Sequence, residues 1–261
     1  LHLHTEYSLL DGACRIKPLM KRLQELGIKH CAVTDHGAMY GVVDFYTACL
    51  EAGIHPVIGC EAYICPDRFD KTYVSREYSH IILLCENQTG YRNLTKLISA
   101  GFTEGFYYRP RLDYTLLKAH AEGLICLSAC LSGDLPKLLL QGRRDEARAY
   151  ALNMQATFGK GNYFIEIMDH GIAEEKQVLP ELAALSRETG IPLVATNDCH
   201  YLQRKDAAAQ EVLMCVQTGK TLQDEARMRM DTEELYVKSE EEMLALFPSY
   251  PDAVARTVEI A

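Results

Sequence analysis

No run in this sequence approaches the ~20 consecutive apolar residues needed to cross a bilayer, and no signal-peptide pattern stands ahead of the first strand-like segment. A membrane protein or a secreted one is therefore not expected. Positive charge is also scarce. The 27 Lys and Arg against 36 Asp and Glu leave a formal charge of −9, which argues against gripping nucleic acid by bulk electrostatics. A phosphate-handling site remains open, because bound divalent cations reverse the sign of the local field. A disulfide framework is missing as well. The ten cysteines lie mostly inside apolar runs, as at Cys31, Cys85 and Cys126, and read as reduced core thiols of a cytoplasmic protein. There is no internal repeat, no low-complexity tract and no initiator methionine. Leu1 opens inside a strand-like segment and residues 253–261 close on an uncapped helical pattern, so a fragment of a longer chain is expected.

What is present suits a full core: 48% hydrophobic and 24% charged residues over 261 positions. Strand-like runs at 1–7, 30–34, 56–64, 80–85, 124–129, 163–168 and 192–196 alternate with helical spacing at 17–26, 42–52, 91–100, 145–157 and 173–188. Gly27, Gly53 and Gly190 stand where left-handed caps should end three of those helices. The alternation predicts an α/β fold with a largely parallel sheet. Seven strands are too many for a small open sheet and suit a (β/α) barrel over 1–205, followed by a helical extension over 206–261.

Residues able to bind metal recur along this frame. His2 and His4 are two apart in a strand, so both imidazoles face one way while Leu3 faces the other. Asp11 sits in a Leu-Asp-Gly turn, and His36 in Thr34-Asp35-His36-Gly37. Glu61 is a carboxylate inside an apolar strand, costly unless it has partners. His80 opens a strand, Cys130 follows one, and Asp198 and His200 share a face opposite Cys199. Singly, each has a plainer explanation: a hydrogen-bonded core histidine, a packed thiol, a turn residue or a helix cap. Together they fall at or just beyond strand C-termini, where such barrels build active sites, His80 fitting least. Imidazole, carboxylate and thiolate donors suit zinc, manganese or iron rather than magnesium or calcium. Asp35 and Asn197 are either partners that orient ligand imidazoles or simple turn residues. Arg109 and Arg111, beside Tyr107 and Tyr108, either hold a phosphate and stack a base or belong to a solvated loop. His170 is expected to be a surface or loop residue.

At these residues the chain resembles the PHP (polymerase and histidinol phosphatase) domains, and is most similar to those opening bacterial DNA polymerase III alpha subunits. The likeness rests on Leu-His-Leu-His-Thr-Glu-Tyr-Ser from Leu1, Thr-Asp-His-Gly-Ala-Met-Tyr-Gly from Thr34, Ile-Gly-Cys-Glu-Ala-Tyr from Ile58, Leu-Ser-Ala-Cys-Leu-Ser-Gly from Leu127 and Val-Ala-Thr-Asn-Asp-Cys-His-Tyr from Val194. The tail strings Gln217-Thr218-Gly219-Lys220 and Ser239-Glu240-Glu241-Glu242-Met243 extend it toward a polymerase palm. The resemblance implies a distorted seven-stranded barrel holding two or three divalent ions, zinc or manganese foremost and iron next. It implies that His2, His4, Glu61 and Asp198 hold one ion, Asp11, His36 and His200 a second, and Glu61, His80 and Cys130 a third. Asp11 and Cys130 depart from phosphatase-type members, which have histidine there. The implied activity is 3′→5′ exonuclease action on a DNA 3′ end, with Asp198, His200, Glu61 and His4 carrying catalysis. The implied partners are the remainder of the polymerase subunit and other replisome subunits. A phosphomonoesterase, a pyrophosphatase and a catalytically silent metal-stapled scaffold are the alternatives. No palm segment with paired aspartates is evident, so polymerisation itself is not expected here.

Overall fold

Apolar runs and helical patterns alternate through a computed structural model that describes residues 1–72 and 77–261. The first half comprises α1 (Ile16–Glu25), β1 (His30–Val33), α2 (Val42–Ala52), β2 (His55–Ile64), β3 (Ser79–Cys85) and α3 (Gln88–Thr103). A short hairpin of β4 (Phe106–Tyr107) and β5 (Arg109–Leu112) follows, then α4 (Tyr114–Ala119) and β6 (Leu124–Leu127). After α5 (Asp134–Leu140) and α6 (Arg144–Phe158) come β7 (Tyr163–Ile167), α7 (Ala173–Thr189) and β8 (Leu193–Ala195). The remainder carries α8 (Ala207–Thr218), α9 (Glu240–Leu246) and α10 (Pro251–Ile260). No helix among the described residues is long and apolar enough to cross a membrane.

The strands hydrogen-bond in the order β4-β5-β2-β3-β6-β7-β8, with β1 paired to the first half of β2. The N-terminal segment brings the curl round on itself. Cys199 N–H donates to His2 O and His4 N–H to Cys199 O, while Thr34 N–H donates to Leu3 O. This segment makes single bridges at Leu3 and Thr5, not the strand expected over 1–7. Counting it, seven staves form the ring and the β4–β5 hairpin lies outside, in a stretch read as loop.

The sheet is mixed, which corrects the largely parallel expectation. β3 runs antiparallel to both β2 and β6, whereas β6–β7 and β7–β8 are parallel. The link from β2 to β3 carries no helix among the described residues, and a helix-free link can return a chain antiparallel, whereas a parallel return needs a crossover. This reversal accounts for His80. The start of an antiparallel strand lies at the same end of the barrel as the ends of its parallel neighbours, and His80 pairs with Tyr63 near the end of β2.

Alternation along β3 assigns the layers. Ile81 and Leu83 join Leu97, Met154, Ile165 and Leu182 in the core between sheet and helices, which also takes Phe247 and Val254 of the C-terminal region. Ile82 and Leu84 instead meet Ala32, Leu127, Phe164 and Val194 inside the ring. Apolar side chains thus pack inside the ring, and the polar donors gather at one end of it. Gly27, Gly53 and Gly190 take the expected positive φ values of 70°, 69° and 71° at the ends of their helices.

Candidate metal centre

Every donor singled out in the sequence reaches that polar end. His2 and His4 are carried inward by the bridged N-terminal segment, while Leu3 packs outward with Leu19 and Val33. Glu61 enters from β2, 1% exposed, and its backbone is laced to the His36 loop: Gly37 N–H donates to Glu61 O and Glu61 N–H to Asp35 O. Gly37 has φ +60°, and an added Cβ would lie 2.6 Å from Tyr63 Cε2, so this turn takes little but glycine. His80 N–H donates to Ser132 O, tying the Cys130 loop to the start of β3.

Among the described residues, three donor sets have all their candidate ligand atoms within 4.8 Å of one another: His2, His4, Glu61 and Asp198; Glu61, His80 and Cys130; His4, His36 and His200. The first two match the expected grouping. In the third, His4 takes the place expected for Asp11, whose oxygens lie 3.2 Å from His36 Nε2 and 3.8 Å from His200 Nε2. All nine residues therefore join one continuous cluster, with Glu61 and His4 each belonging to two sets.

The hydrogen bonds around the cluster set which nitrogens face inward. Ser8 has one hydroxyl proton and donates it to Asp35 at 2.7 Å. It can only accept from His4 Nδ1–H, at 3.2 Å, which leaves the Nε2 lone pair of His4 turned toward the other donors. His200 Nδ1–H likewise donates to Asp198 O at 2.7 Å, turning its Nε2 toward Asp11. His2 Nδ1–H donates to Glu166 Oε1 at 2.9 Å, so its Nε2 faces Glu61 Oε2 at 2.9 Å and Asp198 Oδ1 at 3.1 Å. Two carboxylates converging on one nitrogen call for positive charge between them, either a second proton or a cation.

Electrostatics agree. Burial alone would raise Glu61, but the His80 and His36 imidazoles and the hydrogen bond from His2 hold it well below the usual carboxylate range. Burial would raise Asp198 too, and His2 and His200 outweigh it. Burial lowers His2 and His36, yet their anionic neighbours raise both well above an ordinary imidazole. Burial, reinforced by His36 and His200, pushes His4 down to about 3, so it stays neutral and ready to donate a lone pair. Burial pushes the Cys130 thiol well up, with Asp198 and Glu61 adding to it, so a thiolate there needs a cation beside it.

A direct test of fit comes from buried polar atoms that make no well-aligned hydrogen bond. Among those of the described residues are His4 Nε2, Asp11 Oδ1, His80 Nδ1 and Asp198 Oδ1, whose near neighbours are one another and the other donors of the cluster. Groups this buried normally have such a bond. All four belong to the cluster and are the ligand types a divalent metal takes. Backbone strain is stored here as well. Asp198 has φ +40°, and Ala129, just before Cys130, has φ +65°.

Several sequence readings change. Glu166 was overlooked, although it shows the signal that exposed Glu61, a carboxylate inside an apolar strand. It is 1% exposed, orients His2, and accepts from Thr196 Oγ1. Asp35 acts as an orienting residue through Ser8, and it also accepts from Thr5 N–H and Thr5 Oγ1. Asn197 clamps the chain instead, donating to Glu234 O and Tyr236 O. His170 lies in a loop but is buried, between Glu175 Oε1 at 2.7 Å and Asn197 O at 3.1 Å. Arg111 belongs neither to a phosphate grip nor to a solvated loop: it is fully buried and donates to Gly105 O and Asp70 O. Arg109 remains at the rim, its guanidinium 5.8 Å above the Tyr63 ring. Cys199 packs outward as expected.

A ring of seven staves, packed with apolar side chains and lined at one end by His, Asp, Glu and Cys, defines a class of barrel, and the sequence pattern of the PHP domain matches residues 1–170. The chain belongs to the PHP domain family. Over its full length it is 50% identical to 23% of the DNA polymerase III subunit alpha of Treponema pallidum. It is 44% identical to 23% of that of Borreliella burgdorferi and 46% identical to 22% of that of Helicobacter pylori. The chain spans about a quarter of the length of these curated relatives. A solved amidohydrolase from Chromobacterium violaceum is a remote likeness, 14% identical with a TM-score of 0.47 over 77% of this chain and 86% of that one.

Proposed function

We propose that the chain is the PHP portion of a DNA polymerase III alpha subunit and hydrolyses phosphodiesters at a DNA 3′ end with two or three divalent cations, zinc or manganese foremost and iron next. The observation that carries this reading is the set of buried ligand atoms converging on one point, four of them without a well-aligned hydrogen bond among the described residues. His2, His4, Glu61, Asp198, Asp11, His36, His200, His80 and Cys130 would hold the cations. When bound, these would acidify water from ~15.7 toward ~7 and offset charge on the departing oxygen. The chain's own work is to keep His4 and His200 in the tautomer that offers Nε2, to hold Glu61 and Asp198 ionised, and to exclude bulk water from the floor of the site. No Ser or Cys nucleophile is required. Metal-depleted and repleted protein, assayed on an end-labelled primer, on a phosphomonoester and on pyrophosphate, tests the reading. Loss of nucleotides from the 3′ end only after repletion is expected. Turnover of the monoester or pyrophosphate alone would replace nuclease action with one of those chemistries.

Glu166 gives a finer test. By accepting from His2 Nδ1–H it fixes the ring and makes Nε2 a better donor, and losing such an outer partner costs about 10–100-fold in metal affinity. Glu166→Ala should fall in that range by competition with a chromogenic chelator. Affinity equal to that of the unaltered chain would show that Glu166 only packs.

A further inference from the structure

The sequence repeats Asp35-His36-Gly37 as Asp169-His170-Gly171, and the second histidine joins no donor set among the described residues. It is buried all the same, and each of its polar groups is engaged. Its main-chain N–H donates to Glu175 Oε2 at 2.6 Å and its ring Nδ1–H to Glu175 Oε1 at 2.7 Å, so one carboxylate in the first turn of α7 holds both backbone and ring. Its carbonyl accepts from Thr232 Oγ1. Its Nε2–H donates to Asn197 O at 3.1 Å. A carboxylate and a carbonyl only accept, so both ring nitrogens carry protons and the ring is an imidazolium. Burial would discharge it, and Glu175, joined by Asp198, outweighs that burial.

Asn197 immediately precedes Asp198. Its carbonyl belongs to the peptide plane from which Asp198 takes φ +40°, with its carboxylate 3.1 Å from both His2 and His4. The Asn197 side chain is pinned from the C-terminal region: Nδ2 donates to Glu234 O and Tyr236 O, and Lys238 Nζ donates to Oδ1. The bond from His170 ties the same residue to α7. We infer that His170 is a positioning residue: held by Glu175, it fixes the peptide plane between Asn197 and Asp198 and so keeps the Asp198 carboxylate in the cluster. The inference rests on the reading of that cluster as a metal centre. An ion pair that only fastened the loop to α7 would need Nδ1 alone. The bond from Nε2 adds nothing to that fastening, yet it reaches the one carbonyl that precedes the strained residue. Left-handed backbone outside glycine persists only where its surroundings over-determine it, and a loosened peptide plane would let Asp198 relax out of the donor set.

The test is titration of metal-free protein with divalent cobalt, comparing the unaltered chain, His170→Ala and His170→Gln. Cobalt held by the Cys130 thiolate adds a sulfur-to-metal charge-transfer band in the near ultraviolet, and that donor set does not include Asp198. Cobalt in the set that does include Asp198 contributes visible absorption alone. His170→Ala should need about 10–100-fold more cobalt to fill the Asp198 set, as loss of an outer partner does, while its charge-transfer band saturates where that of the unaltered chain does. His170→Gln places an amide N–H where Nε2–H lies and should recover most of the lost affinity. Equal midpoints in all three proteins overturn the assignment. So does displacement of both signals by one factor in His170→Ala, which would show that His170 only supports the fold. An unaltered chain that develops neither signal overturns the metal reading itself.

Discussion

Asp198→Asn protein is expected to fold and load poorly with metal, and its phosphodiesterase activity should fall by more than the ~100-fold that loss of an outer partner costs. The substitution is gentle to the backbone. Asp198 holds φ +40°, and asparagine is one of the few other residues that tolerates this region. It keeps the volume and removes only the charge. That charge lies 3.1 Å from both His2 Nε2 and His4 Nε2, in the donor set where four ligands meet. His4→Ala should do the same by removing a donor shared by two sets. Cys199→Ala, one position away, should keep its activity, because that thiol packs against the outer layer and supplies no ligand. Primer degradation measured alongside circular dichroism decides the matter. Full activity in folded Asp198→Asn protein would mean that the cluster is not the site of hydrolysis.

The contrast between neighbouring positions 198 and 199 is legible in the sequence alone, because a strand sends successive side chains to opposite faces. The same rule made His2 and His4 readable as a pair. Glu61 was legible for another reason: a carboxylate in an apolar strand is too costly to be accidental. Glu166 is equally anomalous in Tyr163-Phe164-Ile165-Glu166-Ile167 but carries no neighbouring motif, so its role became clear only when His2 arrived from 164 positions away. Strand direction was the main feature that periodicity could not supply. Apolar alternation looks the same in either sense, so the reversal of β3 stayed hidden and His80 looked misplaced. The β4–β5 hairpin was equally obscure, since strands of two and four residues leave no measurable alternation. The burial of Arg111 goes with that hairpin, because its guanidinium donates to the carbonyl of Gly105, just before β4, and to that of Asp70.

Removing metal should destabilise the chain, and by more at alkaline pH than at neutral pH. The ligands come from separate strands and loops, so the folded state alone assembles the site, and a cation at 100 times its dissociation constant adds about 2.7 kcal/mol. For a domain of this size that corresponds to a melting difference of roughly 5–10 °C between loaded and chelated protein. The pH trend follows from His2 and His36, whose folded values are raised well above 6.5. In metal-free protein each stays protonated after its unfolded counterpart has released its proton, so the folded state holds more protons. Stability then falls as pH rises from 6.5 toward those raised values, by about 1.4 kcal/mol per pH unit for each imidazole. His4 does not reverse the trend. Its value of about 3 makes it neutral in both states above pH 6.5, and it costs stability only as pH falls below that. A cation takes over the task of the two protons, and it binds better as the imidazoles and the Cys130 thiol are freed of theirs. Loaded protein should therefore keep its melting temperature as pH rises from 6.5 while chelated protein loses it. Melts followed by circular dichroism at pH 6.5, 7.5 and 8.5, with and without chelator, measure the gap. A gap that stays constant or narrows toward pH 8.5 would show that protons and metal do not compete for these side chains.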